Sequence, residues 1–112
     1  MKIAADILKG RKIANHVRMV VIPGSQEVYL ESLKRGYIQT MIEAGCAVCT
    51  PNCGPCGGRH MGVLAAGEVC LSTTARNFTG RMGDKNSSIY LSGPAVAAAS
   101  AIAGFICAPE HV

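Results

Sequence analysis

Val17, Met19, Val20, Val21 and Ile22 leave Arg18 as the one polar position in an otherwise continuous apolar run that ends at Pro23 and Gly24. A short run rich in β-branched residues is the pattern of a strand buried on both faces of a parallel sheet. Ser25 follows with a hydroxyl able to cap a helix, and Glu27 suits the positive first turn. Tyr29, Leu33 and Tyr37 recur at helical spacing until Gly36 interrupts. The pattern therefore predicts strand, turn and helix in succession. A second short helix over 38–44 stops at Gly45, and Cys46, Ala47, Val48 and Cys49 suit another buried strand.

The pattern then breaks. Residues 50–58 are dense in Gly, Pro and Cys, and turn-forming residues continue to Gly67, before a strand predicted over 68–73. Residues 88–91 read as a further short strand. Gly93 and Pro94 open a helix, with Pro at a tolerated first-turn position, and it runs through Ala103 to Gly104. Its small side chains allow close approach to a neighbour. Helices alternating with short apolar strands predict an α/β architecture, without internal repeats or a linker. The opening helix, over 3–9, has no strand before it, so the pattern reads as part of a larger fold.

Composition narrows the function classes. A length of 112 residues suits one small unit, and 49% hydrophobic content with 13 glycines describes a globular piece built from small side chains. The net charge of +4 is mild, and the basic residues are scattered. With no Trp, two Phe and three Tyr to stack on bases, this suits a small anionic ligand and argues against nucleic acid. The N-terminus shows no signal-peptide pattern, and residues 91–107, mostly Ala and broken by Gly93, Pro94 and Gly104, read as a buried helix rather than a membrane span. A cytoplasmic protein is the expectation. There, six cysteines are free thiols or metal ligands rather than a disulfide framework.

Cys46, Cys49, Cys53 and Cys56 form a C-x2-C-x3-C-x2-C array, with Cys70 and Cys107 standing apart. A zinc ribbon separates its two pairs by about 15 to 20 residues, so the short gap disfavours zinc. Iron–sulfur ligation tolerates tighter packing and is compatible with the array. Cys46 and Cys49 also suit a plainer role as small buried hydrophobes of a strand. Cys53 and Cys56 flank Gly54 and Pro55, a rigid turn that aims both thiols at one point. A redox dithiol is the remaining alternative, but the thioredoxin-like strand and aromatic context are missing.

The segment Cys53, Gly54, Pro55, Cys56, Gly57, Gly58, then Gly67 and Glu68, then Arg76, Asn77, Phe78, Thr79, Gly80 and Arg81, is similar to the signature of the aconitase superfamily. The likeness extends upstream through Leu8, Lys9, Gly10, Arg11 and Lys12 and through Pro23, Gly24 and Ser25. Downstream it continues from Ser92 through Ala99, so it runs in order along essentially the whole chain. His60, Met61, Gly62, Val63, Leu64 and Ala65 resemble the isopropylmalate and homoaconitate dehydratase branch more than citrate aconitase.

The resemblance implies a three-layer α/β/α aconitase-type domain with a mainly parallel sheet, of which residues 1–112 would be the C-terminal part, the upstream domains being absent. It implies a 4Fe-4S cluster held by three cysteines, with Cys53 and Cys56 as two ligands. The third belongs to a segment placed before this region, for which Cys49 or Cys46 is the only local substitute. Arg76 and Arg81 match two arginines that bind the carboxylates of a hydroxy-acid substrate, for which bidentate guanidinium groups are suited. Without the resemblance both would read as exposed ion-pairing residues.

The implied activity is that of a hydro-lyase large subunit, isomerising a 2-hydroxy and a 3-hydroxy acid by dehydration and rehydration, as in leucine or lysine biosynthesis. A small subunit carrying a swivelling domain is the implied partner. The alternatives are a homoaconitate or citrate aconitase-type hydratase, or a metal-binding remnant without turnover. Two positions depart from the family pattern: Ala75 stands where an Asn is usual, and Gly57 where a larger apolar residue is usual. The acid and base groups lie, in the family, outside these residues. His16, His60 and His111 are assigned no catalytic role.

Overall fold

Leu8 is fully buried at the end of helix α1 (Lys2–Leu8), with Ala4 and Ala5 buried beside it, while Ile3 on the other side is exposed. Withdrawing a leucine side chain of this kind from water contributes about 1.5–3 kcal/mol. The burial partners are small. Helix α4 (Pro94–Ala103) buries Ala98, Ala99, Ser100 and Ala101, and without bulk on that face it packs closely against α1. The computed structural model describes residues 1–112 and contains two compact units, Met1–Asn52 with Pro94–Val112 and Cys53–Gly93, where the length had suggested one.

In the first unit, strand β1 (Val20–Val21) leads through buried Pro23 to helix α2 (Gln26–Lys34). Ser25 caps α2 as its sequence predicts: its backbone is extended, and its hydroxyl accepts the Val28 N–H at 3.1 Å. Helix α3 (Tyr37–Ala44) ends at Gly45, whose φ of 102° only glycine adopts without strain. The Cys46 N–H returns to the Met41 carbonyl at 3.0 Å and the Gly45 N–H to that of Ile42 at 3.0 Å, which closes the helix in a Schellman motif. Strand β2 (Ala47–Val48) then pairs in parallel with β1, Val20 opposite Ala47 and Val21 opposite Val48. Cys46, Met41, Ala44, Val21 and Ala98 join the α1 residues in one core.

Both strands are shorter than the apolar runs that announce them. The Val17 amide closes a turn onto the Ala14 carbonyl at 3.0 Å, which takes it out of the strand expected over 17–22. Cys46 is lost from the second strand because its amide terminates α3. The spacing of α2 also misleads: Val28, Leu30 and Leu33 are exposed, and Ser32 is the buried residue of that helix.

In the second unit, a 3-10 helix (Gly54–Gly57) precedes strands β3 (Val69–Ser72) and β4 (Ser88–Leu91). These pair in parallel, Cys70 opposite Ile89 and Leu71 opposite Tyr90. Leu64, Met82 and Ile89 form the core of this unit, with Cys70 packed against them. The class is therefore α/β with parallel pairing, as expected, carried by two separate two-stranded sheets. No helix is long and apolar enough to cross a membrane.

Candidate functional site

Pro55 fixes its own φ near the helical value and Gly58, at φ 74°, ends the turn, so the residues 53–58 are wound into one tight coil. The Cys56 N–H donates to the Cys53 carbonyl at 3.2 Å and the Gly58 N–H to that of Pro55 at 2.8 Å. Cys53 itself has helical dihedrals, φ −79° and ψ −9°. Cys53 stands at the N-terminal end of this turn and Cys56 within it, with Gly54 between them at a left-handed φ of 54°. Cys53 is exposed and Cys56 is half-buried.

A second loop carries the arginines. The Arg81 N–H donates to the Phe78 carbonyl at 3.0 Å, and the guanidinium carbon sits 5.4 Å from the centre of the Phe78 ring, a cation–π contact. Its Nη2 donates to Sγ of Cys56 at 3.7 Å, within hydrogen-bonding reach for sulfur, while Nε–H is buried without a partner. Arg76 is exposed on the same loop, as are Ala75 and Asn77, whose amide donates to the Ile89 carbonyl at 3.4 Å.

Backbone contacts hold the arginine loop against the cysteine turn. A Cβ on Gly58 would lie 3.1 Å from the Arg81 carbonyl oxygen and 3.3 Å from the Gly83 nitrogen. Gly83, at φ 147°, passes so close to Leu64 that a Cβ there would overlap the Leu64 backbone. The Leu64 N–H donates to the Met82 carbonyl at 2.9 Å and the Asp84 N–H to the Leu64 carbonyl at 2.9 Å. Phe78, Gly58 and Gly83 were not singled out for roles at the sequence level. Gly58 and Phe78 had a signal only as members of the signature, and Gly83 had none.

The geometry tests the implied cluster. Two soft donors stand on one turn, a guanidinium lies against one of them, and the Nε–H of that guanidinium is buried without an acceptor. This fits an anionic metal–sulfur group. No three His, Cys, Asp or Glu side chains converge on one point in this chain, so a three-cysteine site needs a donor from outside it. Cys46 is no substitute: it is 7% exposed in the first unit's core, and burial pushes its thiol up from the ordinary range. Cys49 is half-buried after β2, 3.9 Å from the Ala47 carbonyl oxygen. At Gly57 a Cβ would meet nothing within 4 Å, so the turn has room for a larger side chain there.

The histidines remain outside this arrangement. His16 Nε2 lies 2.9 Å from the Gly104 carbonyl oxygen, a structural contact. His60 is exposed, and His111 makes an edge contact with Phe105 at 5.2 Å between ring centroids.

Comparison with known proteins gives the family. Residues 1–104 match the aconitase family (aconitate hydratase). The 3-isopropylmalate dehydratase large subunit of Thermoanaerobacter pseudethanolicus is 62% identical over 112 residues, 100% of this chain and 27% of the relative. That of Clostridioides difficile is 58% identical over all of this chain and 26% of its own length, and that of Helicobacter hepaticus 55% over all of this chain and 27% of its own. The chain thus spans about a quarter of the length of these relatives. With 104 of 112 residues matched, in order, through the cysteine turn and the arginine loop, the chain belongs to the aconitase family.

Proposed function

We propose that residues 1–112 are the C-terminal part of the iron–sulfur domain of a hydro-lyase large subunit of the 3-isopropylmalate dehydratase kind. The reaction is the exchange of a 2-hydroxy for a 3-hydroxy acid by dehydration and rehydration, in leucine biosynthesis in the cytoplasm. The observation that carries the reading is the Arg81 guanidinium set against the Cys56 thiol. The two halves of the signature, 25 residues apart, meet there.

Cys53 and Cys56 supply two of the three thiolates that hold a 4Fe-4S cluster, and the third comes from a segment outside these residues. The chemistry that such a cluster supplies when bound is Lewis acidity toward a substrate hydroxyl and carboxylate. Arg76 and Arg81 bind the substrate carboxylates, and the Phe78 ring holds the Arg81 guanidinium in place for that contact. Acid and base groups come from other domains and from a small subunit, the partner of this chain in the assembly.

Anaerobic reconstitution of a large subunit containing this segment with iron and sulfide, followed by visible absorption and EPR spectra, tests the ligand assignment. A cluster spectrum that disappears in Cys53→Ser supports it; no cluster in either protein counts against it. A second reading, a metal-binding remnant without turnover, is favoured by the lack of a third donor in the chain and by Ala75. Dehydration of 3-isopropylmalate by a large subunit containing this segment, mixed with a small subunit, would rule that reading out.

A further inference from the structure

Arg81 uses one guanidinium in two directions. Nη2–H is committed to Cys56 Sγ at 3.7 Å, while the buried Nε–H has no acceptor within the chain. The Phe78 ring lies against the guanidinium, and the Arg81 main chain runs next to the cysteine turn, its carbonyl oxygen 3.1 Å from where a Cβ on Gly58 would lie. A residue that only gripped substrate would not need its donor placed on a sulfur.

Resting on the cluster reading above, we propose that Arg81 is also a positioning residue for the metal ligand Cys56. Its Nη2–H donates to the ligating thiolate and holds that sulfur in the orientation needed to bind iron. Hydrogen bonds to ligating sulfurs stabilise the ligated state and set the electronic character of an iron–sulfur group. Loss of an outer partner of this kind typically costs about 10–100-fold in metal affinity.

The test compares a reconstituted large subunit containing this segment with its Arg81→Met and Arg81→Lys variants, measuring iron release to bathophenanthroline, the position of the sulfur-to-iron charge-transfer band, and dissociation of malonate as a dicarboxylate probe. The inference expects roughly tenfold weaker iron retention in Arg81→Met. It also expects a displaced charge-transfer band and an intermediate position for Arg81→Lys, which keeps a donor. Arg81→Met that weakens malonate binding alone, with iron release and band unchanged, overturns the inference and leaves the ligand assignment standing. Equal iron loss in both variants with a parallel drop in melting temperature overturns it too, because the role is then merely structural. No cluster in the unsubstituted protein brings down the ligand assignment, and this inference with it.

Discussion

Gly104 leaves room for the His16 ring: a Cβ on Gly104 would lie 2.6 Å from His16 Cε1 and 2.9 Å from its Nε2. The glycine has φ 88° and ends α4, so an alanine there meets both backbone strain and a ring. Gly104→Ala is expected to cost about 1–3 kcal/mol in urea unfolding followed by circular dichroism. Adding His16→Ala should recover the steric part and leave the backbone part. A double variant no more stable than Gly104→Ala would show that the ring contact does not matter.

At Ser25 the hydroxyl satisfies the Val28 N–H at 3.1 Å, one of the orphan donors at the start of α2. Ser25→Ala should destabilise by about 1 kcal/mol, and Ser25→Asp should restore most of it. Because α2 leaves Val28, Leu30 and Leu33 exposed, little burial masks the loss of the cap. Protease cleavage within 26–34 should accelerate in the alanine variant and not in the aspartate one.

The six thiols should separate by exposure when the folded chain meets iodoacetamide. Cys53 is exposed and reacts first, while Cys46 is buried and reacts only after denaturant is added. Mass-spectrometric mapping of the labelled sites decides this, and early labelling of Cys46 would contradict its place in the core.

Burial raises the Cys46 thiol from an ordinary value of 9.0, so the folded chain holds that proton more tightly than the unfolded one. Its contribution to stability is therefore complete below that ordinary value and is lost as pH rises from there through the folded value. Unfolding midpoints measured at increasing alkaline pH should fall, and Cys46→Ala should flatten that fall. An unchanged slope in the variant would place the alkaline loss elsewhere.

Gly83 tolerates no side chain, since a Cβ would overlap the Leu64 backbone. Gly83→Ala should open the bridge between these residues and raise amide hydrogen exchange at Leu64 and Asp84, whose N–H groups form it. The destabilisation should exceed that of an ordinary surface change, at about 3 kcal/mol or more. Protection at both amides equal to that of the unsubstituted chain would refute the clamp.

Local chemistry made some elements legible in full. Helix α3 stops at Gly45 and α4 starts at Pro94 because those residues decide their own backbone angles, and β4 occupies the four residues its pattern predicts. The strands before Pro23 and after Gly45 came out shorter, because Val17 and Cys46 spend their amides on a turn and a helix end. Apolar pattern does not record that competition. The outward face of α2 was unreadable for a related reason, since spacing predicts a helix but not which side it buries.

The site divides in the same way. Gly54 and Pro55 disclosed the turn between Cys53 and Cys56, which is a local property. The meeting of Arg81 with Cys56 depends on Gly58, Leu64 and Gly83 bringing distant loops together, and no spacing rule announces it. Cys46 and Cys49 illustrate the limit most plainly: they share the cysteine array, yet one lies in a core and the other is half-buried beyond a strand end.

The clamp of Gly58, Leu64 and Gly83 works through main-chain atoms. Mutational drift in the side chains around it can therefore proceed without separating thiol from guanidinium, whereas a single added methyl at Gly83 would reach both. Tolerance in the second unit should thus follow the main chain rather than chemical similarity: Arg59, Val63 and Lys85 can vary widely, while the mildest substitution at Gly83 is among the most damaging.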